Sequence, residues 1–285
     1  MFDQITIVIV IYDSTDIIFD CIKNLKNFKI IIVDNGKNQK ILSKISENHN
    51  IKIISKNKNL GYGLAVNFAF EQINTKFFLT ISPDLKINEN SIKELYKTSK
   101  KYSNCAVSAP ILSKEKNSYG IFPEKRGLYE KNKNKIKNLN VYESTLPSGE
   151  FCVDVTNGCA MLFNSEHFKS VKGFSNKYFL FWEEIDLCRE FNKLKLSVII
   201  NNKATADHIG GGSSKFKLST YFTRIFHNEI SPLFYFNIRK NSPHLYKNML
   251  KYFFRSVTYF LILNFKNSLK NVAKLSANIS YILKK

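Results

Sequence analysis

Residues 5–12 read ITIVIVIY. The run is rich in β-branched residues, apolar but for Thr6, and of strand length. A strand with one wet face alternates. A continuous run fits a parallel strand buried on both faces. Upstream stands MFDQ, with an acid at Asp3 and no basic stretch, so the N-terminus reads as this first strand and not as a signal peptide. Downstream, Ser14 or Thr15 is placed to cap a helix whose Ile17, Ile18, Cys21, Ile22 and Leu25 recur at helical spacing.

The pattern then repeats. Ile30 to Val33 reads as a second buried strand, ending at Asp34-Asn35-Gly36, and Ile51 to Ile54 as a third. A turn at Asn59-Leu60-Gly61-Tyr62-Gly63 leads into a helix to about Ile73. Phe77 to Ile81 reads as a fourth strand, ending at Ser82-Pro83-Asp84, and Asn90 is placed to cap a polar helix to about Tyr102. Strands alternating with helices predict an α/β unit with a mainly parallel sheet. Ligands of such sheets bind beyond the carboxyl ends of the strands. Asp13, Asp34 and Asp84 stand at those ends, where a nucleotide site would be built.

Residues 113–150 are rich in Lys, Asn, Ser and Glu and read as a solvated loop region. Apolar character returns in VDVTNGCAMLFN (153–164), and Leu196 to Ile200 reads as another strand. It leads to a turn-rich segment at Asp207-His208-Ile209-Gly210-Gly211-Gly212-Ser213-Ser214, beyond which the pattern is helical, basic and aromatic.

The 285 residues are 44% hydrophobic, which supports one large core or a domain with an appendage and argues against disorder over most of the length. The five cysteines are scattered with no CxxC, which argues against a disulfide framework or a zinc site and suggests a reducing compartment. No apolar run reaches the roughly 18 to 20 residues of a bilayer span. The net charge is +20, and residues 215–285 hold thirteen Lys and Arg against the one acid Glu229, a net +12. Such an excess implies a polyanion: an anionic membrane surface, a nucleic acid or a phosphorylated substrate. Compositional bias toward Lys, Asn and Ile is the plainer explanation.

FLFWEEIDLCREFNK (179–193) sets three carboxylates against an aromatic run. On a helix starting near Trp182, Leu187, Cys188, Phe191 and Leu194 fall within about 80° of Glu184. Glu184 therefore lies on the buried stripe, where an acid has a raised pKa that suits a general base. Asp186 and Arg189 fall on the opposite side as an ordinary surface pair, and Glu183 lies on a flank.

These residues resemble a family. VIVIYDS (8–14), IIVDNG (31–36), NKNLGYGLAVNFAF (57–70), LTISPD (79–84), NGCAMLF (157–163), GFSNKYFLFWEEIDLCRE (173–190) and HIGGGSS (208–214) are similar, in order and spacing, to the inverting glycosyltransferases of family 2. The rhamnosyltransferase-like bacterial members are the nearest in pattern, and the resemblance covers roughly residues 5 to 240. It implies a GT-A Rossmann-like catalytic domain over residues 1–214 and a helical, basic C-terminal region over 215–285.

The resemblance also implies roles. Tyr12 and Asp13 match the loop contacting base and ribose, and Asp34 the acid that reads the base. Gly61, Gly63 and Asn67 match the stretch lining the nucleotide pocket. Ser82-Pro83-Asp84 matches the DxD position, leaving Asp84 to bind Mg²⁺ or Mn²⁺. Glu184 matches the catalytic base, with Glu in place of the usual Asp, and Glu183 is its neighbour toward the acceptor. His208 matches a histidine near the diphosphate, and the glycine and serine run after it offers backbone N–H groups to phosphate.

The implied reaction is a single displacement from dTDP-rhamnose or a UDP-sugar to a saccharide acceptor, lipid-linked in many relatives and destined for surface polysaccharide. Cytoplasmic location, at the inner face of the membrane, follows as an expectation. The basic aromatic helices would then meet an anionic membrane surface. Their alternative use is to cover the sheet and join a homo-oligomer. Two other readings are weighed against the transferase. An inactive subunit is encouraged by Ser82 and Glu184. A nucleic-acid-binding protein leaves the inward acid and the strand-end aspartates without a role.

Overall fold

The computed structural model describes residues 1–36, 38–45, 50–113, 119–125, 149–210 and 217–284. The expected glycine and serine loop at 211–214, and most of the loop at 113–150, lie outside the described residues. The chain divides into two compact units. One holds Met1–Phe174 with Glu184–Lys215, the other Ser175–Glu183 with Phe216–Lys285.

The first unit is built on β1 (Ile5–Ile11), which pairs in parallel with β2 (Lys29–Asp34) on one edge and β4 (Phe77–Ile81) on the other. β3 (Ile51–Ser55) extends the parallel half beyond β2. The other half is mixed. β10 (Ala160–Asn164) runs antiparallel to both β4 and β6 (Cys105–Leu112). β11 (Ser197–His208) runs parallel to β6 and antiparallel to β5 (Leu85–Ile87) and β8 (Glu150–Val153). Among the described residues, the strand order is β3-β2-β1-β4-β10-β6-β11-β5. A separate ribbon pairs β7 (Tyr119–Gly120) with β9 (Val155–Thr156). The expected mainly parallel sheet is thus parallel in its N-terminal half and mixed beyond it.

Alternation along the strands sorts the core into two layers. Ile5, Ile7, Ile9 and Ile11 of β1 pack with Ile18 of α1 (Ile17–Ile22) and with Ile92 and Leu95 of α4 (Glu89–Lys101). Val8 faces the other way, toward Ala65, Val66 and Ala69 of α3 (Tyr62–Phe70) and Leu187, Cys188 and Phe191 of α6 (Glu183–Lys193). Phe78 stacks on Phe163 at 4.8 Å, and Phe168 of α5 (Ser165–Ser170) closes on both edge-on.

Several local expectations shift. α2 (Gln39–Ile45) and β6 were not foreseen. Neither Ser14 nor Thr15 caps α1: Asp16 precedes it without a side-chain bond, and the Ser14 amide donates to Asn38 instead. α4 is capped two residues early, by Asn88, whose side chain accepts from the Ser91 amide at 2.8 Å. β11 runs on through His208, so the expected turn at 207–208 is strand.

Among its described residues the second unit holds the helices α7 (Leu218–Tyr235), α8 (Pro243–Leu261) and α9 (Phe265–Leu283). Ile230, Leu245, Ala277 and Tyr281 form its core. Glu229 ties all three helices together. It accepts from Tyr252 Oη at 2.8 Å and from Asn278 Nδ2 at 3.4 Å, and meets Lys274 Nζ at 3.2 Å.

Gly63 shows why α3 lies so close to its neighbours. A Cβ there would stand 2.8 Å from Phe174 Cβ. Overpacking of this kind costs about 1–3 kcal/mol. Gly63→Ala is therefore expected to lower the urea midpoint. Pairing it with Phe174→Gly, which removes the Cβ that would be met, should give less than the sum of the two losses, because both act on one contact. Additive losses would show that the contact does not govern the packing.

Candidate active site

Between β1 and β4 the strand order reverses direction, which makes a crevice at their carboxyl ends. Tyr12, Asp13 and Ser14 leave the end of β1, and Asp13 takes a left-handed turn (φ 50°) that an Asp tolerates. Tyr12 is exposed and lies over Gly36, where a Cβ would come within 3.2 Å of both its ring and the Asp13 amide.

The loops around this crevice are tied by two asparagines. Asp34 Oδ1 accepts from the Gly36 amide at 3.0 Å and from Asn38 Nδ2 at 2.5 Å. Asn38 Oδ1 in turn accepts from the Ser14 amide at 2.8 Å. Asn35 donates to the Gly61 carbonyl at 2.6 Å and accepts from the Leu60 amide at 3.0 Å. The turn after β2 thus fastens both the β1 loop and the start of α3. Asp34 is buried, and one of its oxygens serves this scaffold. Gly61 has φ 76°, so glycine is required there for conformation.

Gly63 and Asn67 are brought together at another place. Asn67 donates to the Phe174 carbonyl at 2.8 Å and accepts from the Phe174 amide at 2.9 Å. Both ends of its amide clamp the turn at Gly173-Phe174, against which Gly63 also packs. Tyr62, between them, points elsewhere: its hydroxyl donates to the Gly158 carbonyl at 2.8 Å. Asn38 and Tyr62 were not singled out from sequence. Their signal is the NG-type turn and the aromatic between two glycines.

At the end of β4 the chain turns through Ser82-Pro83-Asp84, closed by the Leu85 amide donating to the Ser82 carbonyl at 3.0 Å. Asp84 is buried. The antiparallel pairing of β5 with β11 sets His208 opposite Leu85, so His208 Nε2 stands 3.4 Å from Asp84 Oδ1. The Ile209 amide adds a bond to the Asp84 carbonyl at 3.2 Å. Beneath them, the Cys21 thiol donates to the Ser82 carbonyl at 3.6 Å. Burial, with Asp84 nearby, pushes that thiol up to about 12, so it stays neutral. Asp84 supplies the hard oxygen that Mg²⁺ or Mn²⁺ takes, and the imidazole beside it is a softer ligand that fits Mn²⁺ better than Mg²⁺. No group of three such ligands occurs among the described residues, so a bound ion would draw its other ligands from a substrate or water.

The turn at Ser82 is joined to Glu184 through one stretch. The Ser82 amide donates to the Cys159 carbonyl at 2.8 Å. Next to Cys159, a Cβ on Gly158 would lie 3.5 Å from Glu184 Cβ and 3.9 Å from its carboxyl carbon. A Cβ there would make ordinary van der Waals contact, so this stretch packs directly beside the Glu184 side chain. Glu184 keeps partial exposure, yet the protein around it removes enough solvent to push its carboxyl above the ordinary value. Glu184 also adds to the rise of the Cys188 thiol, one turn on, which burial itself pushes up to about 12. Both thus lie on the side of the helix that the periodicity selects, with Leu187 and Phe191 in the core.

Two expectations for this helix are corrected. Asp186 does pair with Arg189, but Asp186 is buried, as is Glu183 on its flank. Burial extends around the first turn of α6, which an isolated helical wheel does not foresee. Leu194, expected on the buried stripe, is exposed, because α6 ends at Lys193 and Lys195 turns left-handed (φ 57°).

The chain enters α6 under strain. Phe181 (φ 65°) and Trp182 (φ 71°) are both left-handed, which costs bulky residues on the order of 1–3 kcal/mol each. Their neighbours in the second unit hold them there. Trp182 packs on Tyr235 at 5.2 Å and on Phe236 at 5.7 Å, and the Ser231 hydroxyl donates to the Leu180 carbonyl at 3.0 Å. Phe179 stacks on His227 at 4.7 Å. These contacts of the aromatic run all fall within that unit.

The family model for Glycosyl transferase family 2 matches residues 6–153. The match includes Asp84 and ends before α6 and Glu184. Among curated proteins, the chain is similar to the low-salt glycan biosynthesis hexosyltransferase Agl10 of Haloferax volcanii, 23% identical over 203 residues. That alignment covers 70% of this chain and 64% of the relative, so the chain spans less than two thirds of the relative's length. Among solved structures, GalNAc-T7 with UDP, GalNAc and Mn²⁺ aligns at a TM-score of 0.59 and 9% identity, over 80% of this chain and 48% of that one. The mannosyltransferase PcManGT of Pyrobaculum calidifontis, in complex with GDP-Man and Mn²⁺, aligns at 0.57 and 12% identity, over 98% and 73%. S. aureus TarS aligns at 0.52 and 14%, over 90% and 43%. These likenesses show the fold, that of the GT-A glycosyltransferases.

The raised acid has a consequence for stability. The folded chain holds the Glu184 proton to higher pH than the unfolded chain, whose carboxyl has the ordinary value of 4.5. Stability from the protonated form is therefore complete below 4.5 and lost as pH rises through the folded value. Glu184→Gln removes that loss. Its urea midpoint is expected to exceed that of the unsubstituted protein increasingly as pH rises above the ordinary value of 4.5. Parallel pH profiles for the two proteins would rule out a buried, ionising Glu184.

Proposed function

The chain belongs to glycosyl transferase family 2, and on that premise we propose that it transfers a hexose from a nucleotide-diphosphate sugar to a saccharide acceptor with inversion. The observation that carries this reading is the convergence of three groups: the Asp84 and His208 pair, and the raised carboxyl of Glu184. The Gly158-Cys159 stretch links them, touching both the Ser82 turn and Glu184.

Glu184 takes the proton from an acceptor hydroxyl. The oxygen attacks the anomeric carbon from the face opposite the leaving group. A new carbon–oxygen bond forms, the bond to the diphosphate breaks, and its electron pair leaves with the nucleoside diphosphate. A raised pKa suits the base, because it accepts a proton more readily near neutral pH. Asp84 and His208 would hold a divalent cation, Mg²⁺ or Mn²⁺, which would offset the charge developing on the leaving diphosphate. Tyr12, Asp13 and Asp34 would receive the nucleotide at the end of β1 and β2. Glu183 would face the acceptor.

The name of the Haloferax relative favours a hexosyl donor. The motif likeness to rhamnosyltransferases puts dTDP-rhamnose first for a donor screen and UDP-hexoses next. A lipid-linked saccharide acceptor, in the making of a surface polysaccharide, completes the reading.

A panel of nucleotide sugars assayed with Mg²⁺ or Mn²⁺ tests it. One donor is expected to release its nucleoside diphosphate in the presence of metal. Glu184→Gln should lower turnover by about 10²–10⁴-fold with donor affinity by calorimetry unchanged. kcat/KM should fall on the acid side at a pH above the ordinary carboxylate range. Asp84→Asn and His208→Ala should weaken metal-dependent donor binding. Binding without turnover of any donor would instead make the chain an inactive subunit.

A further inference from the structure

The helical wheel of α8 separates three faces. Leu245, Tyr252 and Ser256 are buried against the second unit's own helices, whose core includes Leu245. Next to them comes an arc of about 120° that is wholly apolar and open to solvent. It holds Leu250, Phe253, Phe254, Val257, Phe260 and Leu261, of which Leu261 is 73% and Phe254 63% exposed. The third face carries Lys247, Lys251 and Arg255 at a spacing of four, so the cations line one flank of the apolar arc. The arc continues into the turn after the helix, where Ile262 is 63% and Leu263 73% exposed and Phe265 follows. Neither α8 nor α9 contains an acidic residue.

An exposed apolar surface this continuous marks a contact site. We propose that the α8 face and the turn at 261–265 seat in the interface of an anionic lipid bilayer. The apolar side chains enter the boundary of headgroups and acyl chains, and Lys247, Lys251 and Arg255 meet the headgroup phosphates. No helix among the described residues is long and apolar enough to cross a membrane, so the contact is peripheral.

Charge selects this occupant over others. A second copy would present the same acid-free face and give these cations no anion. A nucleic acid would satisfy the cations but leave Leu250, Val257, Leu261 and Leu263 without a partner, since aliphatic side chains do not stack on bases. A bilayer with anionic headgroups satisfies both faces at once.

Co-sedimentation of the full chain with vesicles tests the proposal. Vesicles of phosphatidylcholine with phosphatidylglycerol should bind the protein, and vesicles of phosphatidylcholine alone should bind it weakly. Leu261→Ser with Leu263→Ser should lower the partition coefficient about tenfold or more, because two exposed apolar side chains leave the interface. Lys247→Gln with Lys251→Gln should lower binding to the anionic vesicles and reduce its salt dependence. None of these residues lies in the nucleotide-sugar site, so turnover of a soluble donor should persist, which separates this proposal from the transferase reading. No preference for anionic vesicles would overturn it. So would a dimer in sedimentation velocity that the serine variants dissociate while vesicle binding is absent, or oligonucleotide binding that those variants abolish.

Discussion

Strand β1 is hydrogen-bonded on both edges and packed on both faces. Its one polar side chain, Thr6, is buried and bonded to the Thr75 hydroxyl, and the rest of Ile5 to Ile11 is apolar, so charged groups have to wait for the strand to end. The same holds for β2 and β4, whose last residues lead directly into Asp34 and Asp84. The site's position is thus a consequence of burial. Three parallel strands buried on both faces deliver acids to one edge of the sheet, and the reversal of strand order between β1 and β4 marks the place where such a sheet opens a crevice.

What was legible in the sequence follows from the same physics. Continuous apolar runs mark β1, β2 and β4 because each is buried on both faces; β3, at the edge with Lys52 and Ser55 exposed, is marked by Ile51, Ile53 and Ile54 and is only half-buried, not the buried strand expected. β6, CAVSAPIL, escapes that reading because small residues and a proline dilute the signal, and tertiary packing makes the strand. β5 has three residues and is defined by its pairing with β11, a contact between distant parts of the chain. That pairing is what brings His208 to Asp84, so the pair could not be deduced from spacing alone. Gly63 and Asn67 illustrate a different limit. A glycine and an amide near a helix start resemble a stretch lining a nucleotide pocket, and here the same two residues also serve close packing and a backbone clamp on Phe174.

The opening of α6 carries the sharpest separation between sequence adjacency and spatial role. Phe179, Phe181, Trp182, Glu183 and Glu184 are neighbours in the chain, yet the aromatic rings make their contacts in the second unit, while Glu184 begins the return to the first. A left-handed pair of bulky residues is tolerated only where the surroundings over-determine it. Here packing of Trp182 and a hydrogen bond to Leu180 do so. The strain sits immediately before the acid whose desolvation already works against folding. Both costs fall on the same few residues.

The basic C-terminus shows how a composition acquires meaning once its residues are placed. A net +12 over residues 215–285 could reflect bias in the genome, and charge alone does not distinguish a solvated surface from a binding one. Glu229 is the one acid in that stretch, and its carboxylate is occupied by Tyr252, Asn278 and Lys274 inside the helical unit. It therefore stabilises the three-helix packing and offers nothing to the outer cations. Unbiased enrichment in Lys would scatter charge around α8. Instead the cations share one flank, the aromatic and aliphatic residues share the next, and the remaining face is buried. Such a division serves no purpose in water, where the apolar arc only costs solubility, and it acquires one at an interface that is apolar within and anionic at its edge.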